Sequence, residues 1–353
     1  MKILHVITSL RTGGAEHLMV DLLPKLRVLG NDVELLLFNG KRTPFYEELE
    51  DKGVTIHSFG MGGNVYHPKN ILRLTRYLRK YDIIHTHNTA CQLFVPLAKI
   101  LSHNHTKLVT TEHNATNRRR NKWYLKPFDK WMYSRYNHVI CIADQTYANL
   151  VDYIGNKPNL STIFNGIDVS RFINPIKDIS KKDRFIITMA AAFREQKDQD
   201  TLVRAINDLP DNYILRLIGD GQRRKEIEDL ADCLNVSNRV DFLGIRTDIP
   251  ELLRESDINV LSSHWEGLSL SSIEGMASGR PFIASDVDGL REVVKNAGVL
   301  FPHGNHKVLA DSIRELCDNP LYYREVAERC QSKAKQFDIS IMAEKYNELY
   351  KSL

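Results

Sequence analysis

Two glutamates separated by glycines and serines are the strongest chemical signal in this sequence of 353 residues. Glu266 and Glu274 lie eight positions apart in the stretch HWEGLSLSSIEGMASG. If both were helical, the rise of 1.5 Å per residue would separate them by about 12 Å. That distance is too long for two carboxylates that act on one bond. We therefore expect the two glutamates to have different roles.

The stretch follows an apolar run typical of a strand, DINVLSS, and precedes another, PFIAS, which predicts a helix between them. Ser271 and Glu274 fit the capping-box pattern S-x-x-E, so Glu274 could simply cap its own helix. Glu266 would then lie on the loop before the helix. That loop continues through three flexible residues, Gly267, Leu268 and Ser269. A helix N-terminus at this point would favour a diphosphate.

Two cations and a glycine-rich turn follow other predicted strands in the C-terminal half of the chain, which also contains Glu266. Arg194 and Lys197 come after the apolar run FIITMAA, and Gly219-Asp220-Gly221 comes after YILRLI. Cations at the carboxyl end of a strand could bind a diphosphate. The alternative for Lys197 is a lysine on a surface loop, which is the commoner position for this residue type.

A glycine pair also follows the first predicted strand, KILHVI, and opens the first predicted helix. Gly13 and Gly14 would let backbone N–H groups approach a ligand, and a helix N-terminus favours an anion. The alternative is a tight turn that needs no ligand. The full G-x-G-x-x-G pattern is absent, which disfavours a dinucleotide-dependent dehydrogenase.

Histidines end two further predicted strands of the first half. His85 and His87 lie in IHTHN, and His113 lies in TEHN. An exposed histidine at such a point could hydrogen-bond a sugar hydroxyl or move a proton. The alternative is a histidine whose hydrogen bonds are satisfied locally. No H-x3-H pair or carboxylate set accompanies these histidines, so the sequence predicts no metal site here.

The pattern D-x-D at Asp286 and Asp288 resembles a known metal-binding motif. A match of three residues is weak. The pair Asp288-Gly289 is more consistent with the start of the next helix.

Basic and aromatic residues alternate in the segment 117–138, NRRRNKWYLKPFDKWMYSRYNH. This combination suits a membrane interface or an anionic glycolipid. The candidates for acceptor or membrane contact are Arg118, Arg119, Arg120, Lys122 and Trp123. The alternative is a solvated helix with a packed aromatic stripe. No nucleic-acid-binding module is visible, so we expect no nucleic-acid partner.

Composition places the chain among globular proteins, with 42% hydrophobic and 26% charged residues. The chain is too long for one typical core, which favours two domains. Neither a signal peptide nor an apolar run of about 18 residues is visible. The five cysteines are scattered without a C-x-x-C pair, which favours a reducing cytosol over a disulfide framework.

The two halves of the chain differ in net charge. Residues 1–173 carry 23 basic and 14 acidic residues, a net of +9, whereas residues 174–353 carry 25 and 30, a net of −5. The basic half is therefore expected to meet something anionic, such as a membrane surface or a phosphorylated ligand.

Apolar runs alternate with amphipathic segments in both halves, which predicts α/β domains with doubly wound parallel sheets. We predict an N-terminal domain over 1–172, a linker over 173–184, a second Rossmann-like domain over 185–337 and a final helix over 338–353. Ligands of such sheets bind outside the carboxyl ends of the strands, so two facing domains would place a cleft there.

The stretch EGLSLSSIEGMASGRPFIASDVDGLREVV resembles the E-x7-E signature of glycosyltransferase family 4, whose members are retaining enzymes with the GT-B fold. Further matches occur in the family's order along nearly the whole chain: GGAE, IHTHN, TEHN, NGID, QKD, GDGQRR and FLG. The resemblance implies an N-terminal acceptor-binding domain, a C-terminal nucleotide-sugar domain and a last helix that crosses back to the first domain.

The resemblance also implies residue roles. Glu274 would bind the ribose hydroxyls, Glu266 would face the donor sugar and His113 would contact that sugar from the other domain. Lys197 and an arginine would stabilise the departing diphosphate, where negative charge builds. Other donor contacts are expected from Gly14, Asn165, Gly219, Gly267, Leu268, Ser269, Leu270 and Ser271. No cofactor or metal is expected, because these cations would replace a metal ion.

One departure concerns the family's arginine, whose usual place is occupied here by Ala192. Arg194, three positions before Lys197, is the candidate replacement. Ser269 stands where the family often has glycine.

The sequence therefore predicts a retaining glycosyltransferase that moves a sugar from a nucleotide diphosphate, with UDP as the expected nucleotide, to a glycan or lipid-linked acceptor. The alternatives are a GT-B-related nucleotide-sugar epimerase and a non-catalytic sugar-nucleotide-binding protein. We expect a cytoplasmic location, with peripheral attachment to the inner face of the cell membrane as a separate hypothesis.

Overall fold

A computed structural model describes residues 1–11, 13–113, 120 and 122–353. Its contacts divide the chain into two compact units, one formed by Met1–Gly166 with Ile339–Leu353 and the other by Ile167–Asp338. Each unit contains one parallel sheet with helices, as the alternating pattern predicts. The domain boundaries predicted above stay a prediction.

The first unit contains a seven-stranded sheet in the order β3-β2-β1-β4-β5-β6-β7, with every pairing parallel. Its strands are β1 Lys2–Ile7, β2 Asp32–Leu37, β3 Thr55–Ser58, β4 Ile83–His87, β5 Lys107–Glu112, β6 His138–Cys141 and β7 Leu160–Thr162. Its first six helices are α1 Gly14–Val28, α2 Pro44–Asp51, α3 Lys69–Leu78, α4 Thr89–Ser102, α5 Lys126–Ser134 and α6 Asp144–Ile154. Strands β1 and β4 are buried along almost their whole length because helices cover both faces of the sheet.

The second unit contains a six-stranded parallel sheet in the order β10-β9-β8-β11-β12-β13. Its strands are β8 Phe185–Ala190, β9 Tyr213–Ile218, β10 Val240–Gly244, β11 Ile258–Leu261, β12 Phe282–Ser285 and β13 Val299–Phe301. Its helices are α7 Gln199–Asn207, α8 Arg224–Cys233, α9 Ile249–Glu255, α10 Leu270–Ala277, α11 Leu290–Val294, α12 His306–Asp318 and α13 Pro320–Ala334. In this order β8 and β11 are neighbours, and so are β11 and β12. The loops after these strands therefore meet at one edge of the sheet.

The last helix, α14 (Ile339–Ser352), belongs to the core of the first unit. Apolar residues recur along it at the spacing of one helix face, and Met342, Tyr346 and Tyr350 are buried against residues of α1 and β1. A buried hydrogen bond of 2.9 Å joins the Asn31 and Asn347 side chains. The C-terminal residues thus complete a core that begins at the first strand.

Short 3₁₀ turns cover Trp123–Leu125, Val169–Arg171, Glu195–Lys197, Ser237–Arg239 and Lys335–Phe337. Within the described residues, every helix is too short or too polar to cross a bilayer.

Replacement of Met342 by alanine should destabilise the first unit by about 2–5 kcal/mol, because it leaves a cavity between α14 and the sheet. Chemical denaturation followed by circular dichroism would measure this change. Lys345→Ala, at an exposed position of the same helix, is the matched control and should change the free energy of unfolding by less than about 0.5 kcal/mol. Equal effects of the two substitutions would contradict the packing role of α14.

Candidate active site

Glu266 lies on the loop between β11 and α10 and its carboxylate is nearly buried, with 7% of the side chain exposed. The Lys197 ammonium is in direct contact with one carboxylate oxygen, and the Ser263 hydroxyl donates to the same oxygen at 2.7 Å. The other oxygen accepts from the Gln196 amide at 3.3 Å. Glu266 is therefore held in place by three donors, two of which come from the loop after β8.

Backbone and side-chain hydrogen bonds join the loops after β8 and β11. The His264 amide donates to the Gln196 carbonyl at 2.8 Å, and the Ser262 hydroxyl donates to the Asp198 carbonyl at 2.7 Å. Asp198 has a left-handed conformation with φ +49° and caps α7 by accepting from the Thr201 amide. These contacts explain how Lys197 reaches Glu266 although 69 residues separate them.

Arg194 is the candidate for the missing family arginine. It is exposed and lies in the loop after β8, immediately before the turn that contains Lys197. Its guanidinium has no partner among the described residues. It lines an open cavity of about 720 Å³, together with Asp198, Asp200, Arg223 and His264. Arg223 is engaged there by Asp200 at 2.8 and 3.0 Å. Arg194 therefore supplies a cation that forms no ion pair with a described residue to a cavity that Glu195 and Glu226 also line.

Gly219 brings the loop after β9 against the loop after β8. Its φ is +129°, and a Cβ atom at this position would lie 2.2 Å from the Ala191 carbonyl oxygen. Only glycine fits such an approach. This packing accounts for the glycine independently of any bound donor.

The predicted capping box at Ser271 and Glu274 is wrong. Helix α10 begins at Leu270, and its N-cap is Ser269, whose side chain makes no capping hydrogen bond. Because the helix starts earlier than the pattern suggests, Glu274 is its fifth residue and not its third. The Ser272 hydroxyl instead donates to the Ser269 carbonyl at 2.6 Å. Ser271 and Glu274 therefore do not occupy the N-cap and N3 positions that the capping box requires.

A second glycine shapes the loop before α10. Gly289 has φ +82°, and a Cβ atom there would lie 2.2 Å from the Gly267 carbonyl oxygen and 2.5 Å from that of Glu266. The pair Asp288-Gly289 immediately precedes α11, as predicted. Arg291 binds both aspartates of the D-x-D pattern, at 2.5 Å to Asp286 and 2.9 Å to Asp288. The pattern thus forms an ion-pair cluster in this structure.

In the first unit, hydrogen bonds connect buried histidines of adjacent strands with the C-terminal helix. We call the connected side chains the histidine relay: Tyr346, Thr111, His85, Tyr350, His5, His87 and His113. The successive distances in that order are 3.1, 2.8, 2.5, 3.4, 3.0 and 2.9 Å. His85 and His87 are both fully buried, and hydrogen bonds within the unit satisfy both nitrogens of each ring, which is the alternative left open by the sequence.

Burial keeps the imidazoles of the relay neutral. It lowers the pKa of His5 to about 3 and that of His113 to about 4. The pKa values of His85 and His87 are lowered well below the usual range, first by burial and then by neighbouring histidines. Each ring therefore carries one N–H at neutral pH and must donate in one direction along the relay.

The buried Tyr346 hydroxyl decides the direction of donation. Its partner among the described residues is Thr111, and the Tyr346 side chain is fully buried. If Tyr346 donates, each successive member donates onwards, and His113 keeps its proton on Nδ1. The reverse direction leaves two buried groups unpaired within the described residues, the Tyr346 hydroxyl proton and the His113 Nδ1 lone pair, whereas the first direction leaves only the His113 Nδ1–H unpaired. With the relay in this direction, His113 carries a buried Nδ1–H donor that has no partner within the described residues.

Two family models match the chain: Glycosyltransferase Family 4 matches residues 12–171, and Glycosyl transferases group 1 matches residues 171–337. The chain is 26% identical over 306 residues to UDP-Gal:alpha-D-GlcNAc-diphosphoundecaprenol alpha-1,3-galactosyltransferase of Escherichia coli, covering 80% of this chain and 79% of that protein. It is also 26% identical over 329 residues to the lipopolysaccharide core biosynthesis glycosyltransferase LpsD of Rhizobium meliloti strain 1021, with 91% and 89% covered. The protein is a glycosyltransferase.

Solved structures agree on the fold of this glycosyltransferase. HepE of Anabaena, in complex with UDP, superimposes with a TM-score of 0.87 over 100% of both chains at 23% identity. The galactosyltransferase WaaB of the lipopolysaccharide outer core, in its apo form, gives a TM-score of 0.78 at 15% identity over 100% of both chains. The fold is GT-B, as the sequence predicts.

Glu112 is a buried carboxylate of the glycosyltransferase that sequence reasoning missed. It accepts hydrogen bonds from Gln92 at 2.5 Å, from Tyr133 at 2.7 Å and from Arg120 at 2.9 Å. Arg120, expected at an acceptor or membrane surface, is only 10% exposed and is held by this ion pair. The position of Glu112 next to His113 in TEHN is the signal that could have identified this carboxylate.

The remaining expected residues lie at separate points of the glycosyltransferase. Gly14 opens α1 with free space around its Cα, and Asn165 is buried after β7 with its Oδ1 unpaired within the described residues. Lys122 and Trp123 are exposed at the start of α5. Arg118 and Arg119 lie outside the described residues.

The His113 side chain should remain neutral and carry its proton on Nδ1 from pH 8 to about pH 5, because its pKa is lowered to about 4. Histidine ¹⁵N chemical shifts would report the tautomer, with His113→Gln assigning the signal. Tyr346→Phe removes the terminal donor of the relay and should populate the other tautomer. Tyr66→Phe, at an exposed tyrosine, is the control and should leave the shifts unchanged. An Nε2–H tautomer in the unmodified protein would refute the direction assigned to the relay.

Proposed function

We propose that this glycosyltransferase transfers a sugar from a UDP-linked donor to a glycan or lipid-linked acceptor, with retention of the anomeric configuration. The observation that carries the proposal is the Lys197–Glu266 pair beside the N-terminus of α10. The donor is supported by the names of relatives, which include a UDP-galactose-dependent enzyme and a structure of HepE with UDP-glucose. The acceptor is supported by relatives that act on diphosphoundecaprenol-linked sugars.

The donor diphosphate would lie against the loop 267–269 and the start of α10. The first N–H groups of a helix have no intrahelical acceptor and bear partial positive charge. Ser269, Leu270 and Ser271 are therefore suited to phosphate oxygens. Glu274 lies four residues after the first helical residue, which is about 6 Å along the axis, and would bind the ribose hydroxyls.

Lys197 and Arg194 would stabilise the diphosphate as it leaves. A lysine ammonium has three donors, so Lys197 can retain Glu266 and still donate to a phosphate oxygen. Arg194, which forms no ion pair with a described residue, offers its guanidinium at the adjacent cavity. Cations placed where charge develops lower the barrier without a metal ion.

The environment of Glu266 favours a front-face reaction over a covalent intermediate. Both carboxylate oxygens accept hydrogen bonds, and one of them also contacts the Lys197 ammonium. Such a carboxylate is a weakened nucleophile and a good electrostatic partner for a positively charged sugar. The leaving phosphate oxygen would then accept the proton of the acceptor hydroxyl on the same face.

His113 would donate its Nδ1–H to an oxygen of the donor sugar. The neutral ring follows from burial, and the unpaired Nδ1–H follows from the direction assigned to the relay. This role is a hydrogen bond to the substrate and requires no proton transfer. Gly14, Asn165 and Gly219 are further proposed donor contacts.

Glu274→Ala should raise the dissociation constant for UDP-sugar about 10-fold to 100-fold, because hydrogen bonds to a charged group are lost. Glu266→Gln should lower kcat about 100-fold and leave donor affinity nearly unchanged. Calorimetry with UDP and a UDP-release assay over a donor panel would measure both effects. Glu251→Ala, at an exposed glutamate of α9, is the control.

Unchanged donor affinity in Glu274→Ala would refute the ribose role. If labelled UDP-sugar is converted to its epimer in the absence of an acceptor, the result would indicate the epimerase alternative. Binding of UDP-sugar without any turnover across donors and acceptors would indicate a non-catalytic binding protein.

We also propose that the enzyme is cytoplasmic and attaches peripherally to the inner face of the cell membrane through a basic-aromatic face. This face comprises Lys122, Trp123, Tyr124, Phe128 and Lys130 at the start of α5. Trp123 is 84% exposed, Tyr124 57% and Phe128 40%. Large exposed aromatic groups beside lysines are suited to the headgroup region of an anionic bilayer.

Trp123→Ala combined with Lys122→Ala should reduce binding to phosphatidylserine-containing vesicles at low salt by about fivefold or more, since one basic residue contributes about 1 kcal/mol. Vesicle sedimentation would measure the bound fraction, with pure phosphatidylcholine vesicles for comparison. Leu321→Ala, at a 77% exposed leucine of α13, is the control. Failure of the unmodified protein to bind anionic vesicles would refute the attachment.

A further inference from the structure

Three metal-ligating side chains of the second unit converge outside the contacts of Glu266. The atoms offered by Asp198, His264 and His303 all lie within 4.8 Å of one another. The Asp198 Oδ2 atom is 3.6 Å from the His264 Nδ1 atom. The same His264 nitrogen is in direct contact with the Nε2 atom of His303.

The parallel sheet explains why residues so distant in sequence meet. Asp198 follows β8, His264 follows β11 and His303 follows β13. The carboxyl ends of these strands lie at one edge of the sheet. The His264 position is fixed by its amide hydrogen bond to Gln196, and the turn at His303 is closed by the Asn305 amide, which donates to the Pro302 carbonyl at 3.0 Å.

Two imidazole nitrogens and one carboxylate oxygen form a donor set that Zn²⁺ and related ions bind. Metal–ligand bonds of about 2.0–2.2 Å place neighbouring ligands of a tetrahedral ion roughly 3.3 Å apart. The separation of 3.6 Å between Asp198 and His264 is close to that value and is too long for a direct hydrogen bond. The His264 and His303 nitrogens, which are hydrogen-bonded to each other, are closer together than that ligand separation and would have to move apart to bind one ion.

Helix capping explains only part of the Asp198 geometry. Its Oδ1 atom accepts from the Thr201 amide, and its Oδ2 atom accepts from the Thr201 hydroxyl at 2.6 Å. Oδ2 still has a lone pair, which faces the two histidines. A ligating carboxylate held by outer hydrogen bonds of this kind is typical of metal sites.

The other histidine cluster of the described residues lacks these properties. His5, His85 and His87 have hydrogen-bond partners at both ring nitrogens and no carboxylate beside them. They are fully buried. In contrast, His303 is exposed, and both Asp198 and His264 line the cavity described above, so an ion has a route of entry.

We propose that the second unit binds one divalent transition-metal ion of the Zn²⁺ type through Asp198 Oδ2, His264 Nδ1 and His303 Nε2. A fourth position would remain open to the cavity. The ion would join the loop after β13 to the loop that carries Glu266, two residues after His264. This site is independent of the proposed sugar transfer, for which no metal step is invoked.

Cobalt binding to the purified full chain, without an affinity tag and after removal of metals by a chelator, tests the proposal. Titration should produce the visible absorption of tetrahedral Co²⁺ at one equivalent, and Zn²⁺ should displace it. His303→Ala should weaken binding at least about tenfold. His105→Ala, which removes an exposed loop histidine of the first unit, should leave binding unchanged.

Two results would overturn the proposal: no saturable binding of one equivalent by the unmodified protein, or equal affinity in His303→Ala. His303 is exposed, so its replacement should leave the fold intact, and circular dichroism would verify this. Zn²⁺ should also raise the melting temperature of the unmodified protein more than that of His303→Ala. Because no nucleotide is present, these outcomes do not depend on whether sugar transfer occurs.

Discussion

The carboxyl ends of the parallel strands are the constraint on which the chemistry of this protein depends. In the second unit, neighbouring strands β8, β11 and β12 end at the same edge, so the loops that follow them must pack together. Gly289 permits the loop after β12 to approach the Glu266 backbone, and the loop after β8 brings Lys197 to the Glu266 carboxylate. The candidate donor site is therefore a consequence of strand order and of the residues that tolerate close packing.

The two units stabilise buried polar groups in different ways. In the second unit, Glu266 remains beside a cation and two neutral donors, so its charge is balanced locally. In the first unit, burial keeps the imidazoles neutral and a continuous series of hydrogen bonds satisfies them. The first arrangement suits the stabilisation of charge during a reaction, whereas the second suits a fixed hydrogen-bond donor.

Helix α14, at the end of the chain, takes part in the hydrogen-bonded histidine relay of the first unit. Tyr346 and Tyr350 both pack in the core of the first unit. The Tyr350 hydroxyl is hydrogen-bonded to His85 of β4 and His5 of β1, and the Tyr346 hydroxyl to Thr111 of β5. The direction in which His113 donates therefore depends on a residue 233 positions later in the chain. A substitution of Tyr346 in α14 would therefore change the tautomer of His113, although the two residues are not in direct contact.

Local patterns in the sequence determined much of this protein: the alternating strands and helices, the two parallel sheets, the glycines at tight turns and the family motifs around Glu266 and Glu274. These features follow from periodicity and residue type, which act over a few positions. Tertiary packing alone decided that α10 begins at Leu270, that Arg120 turns inward to Glu112 and that His85 and His87 are buried. It also decided that Asp198, His264 and His303 converge. Each of these outcomes depends on contacts between residues distant in sequence, which spacing along the chain cannot specify.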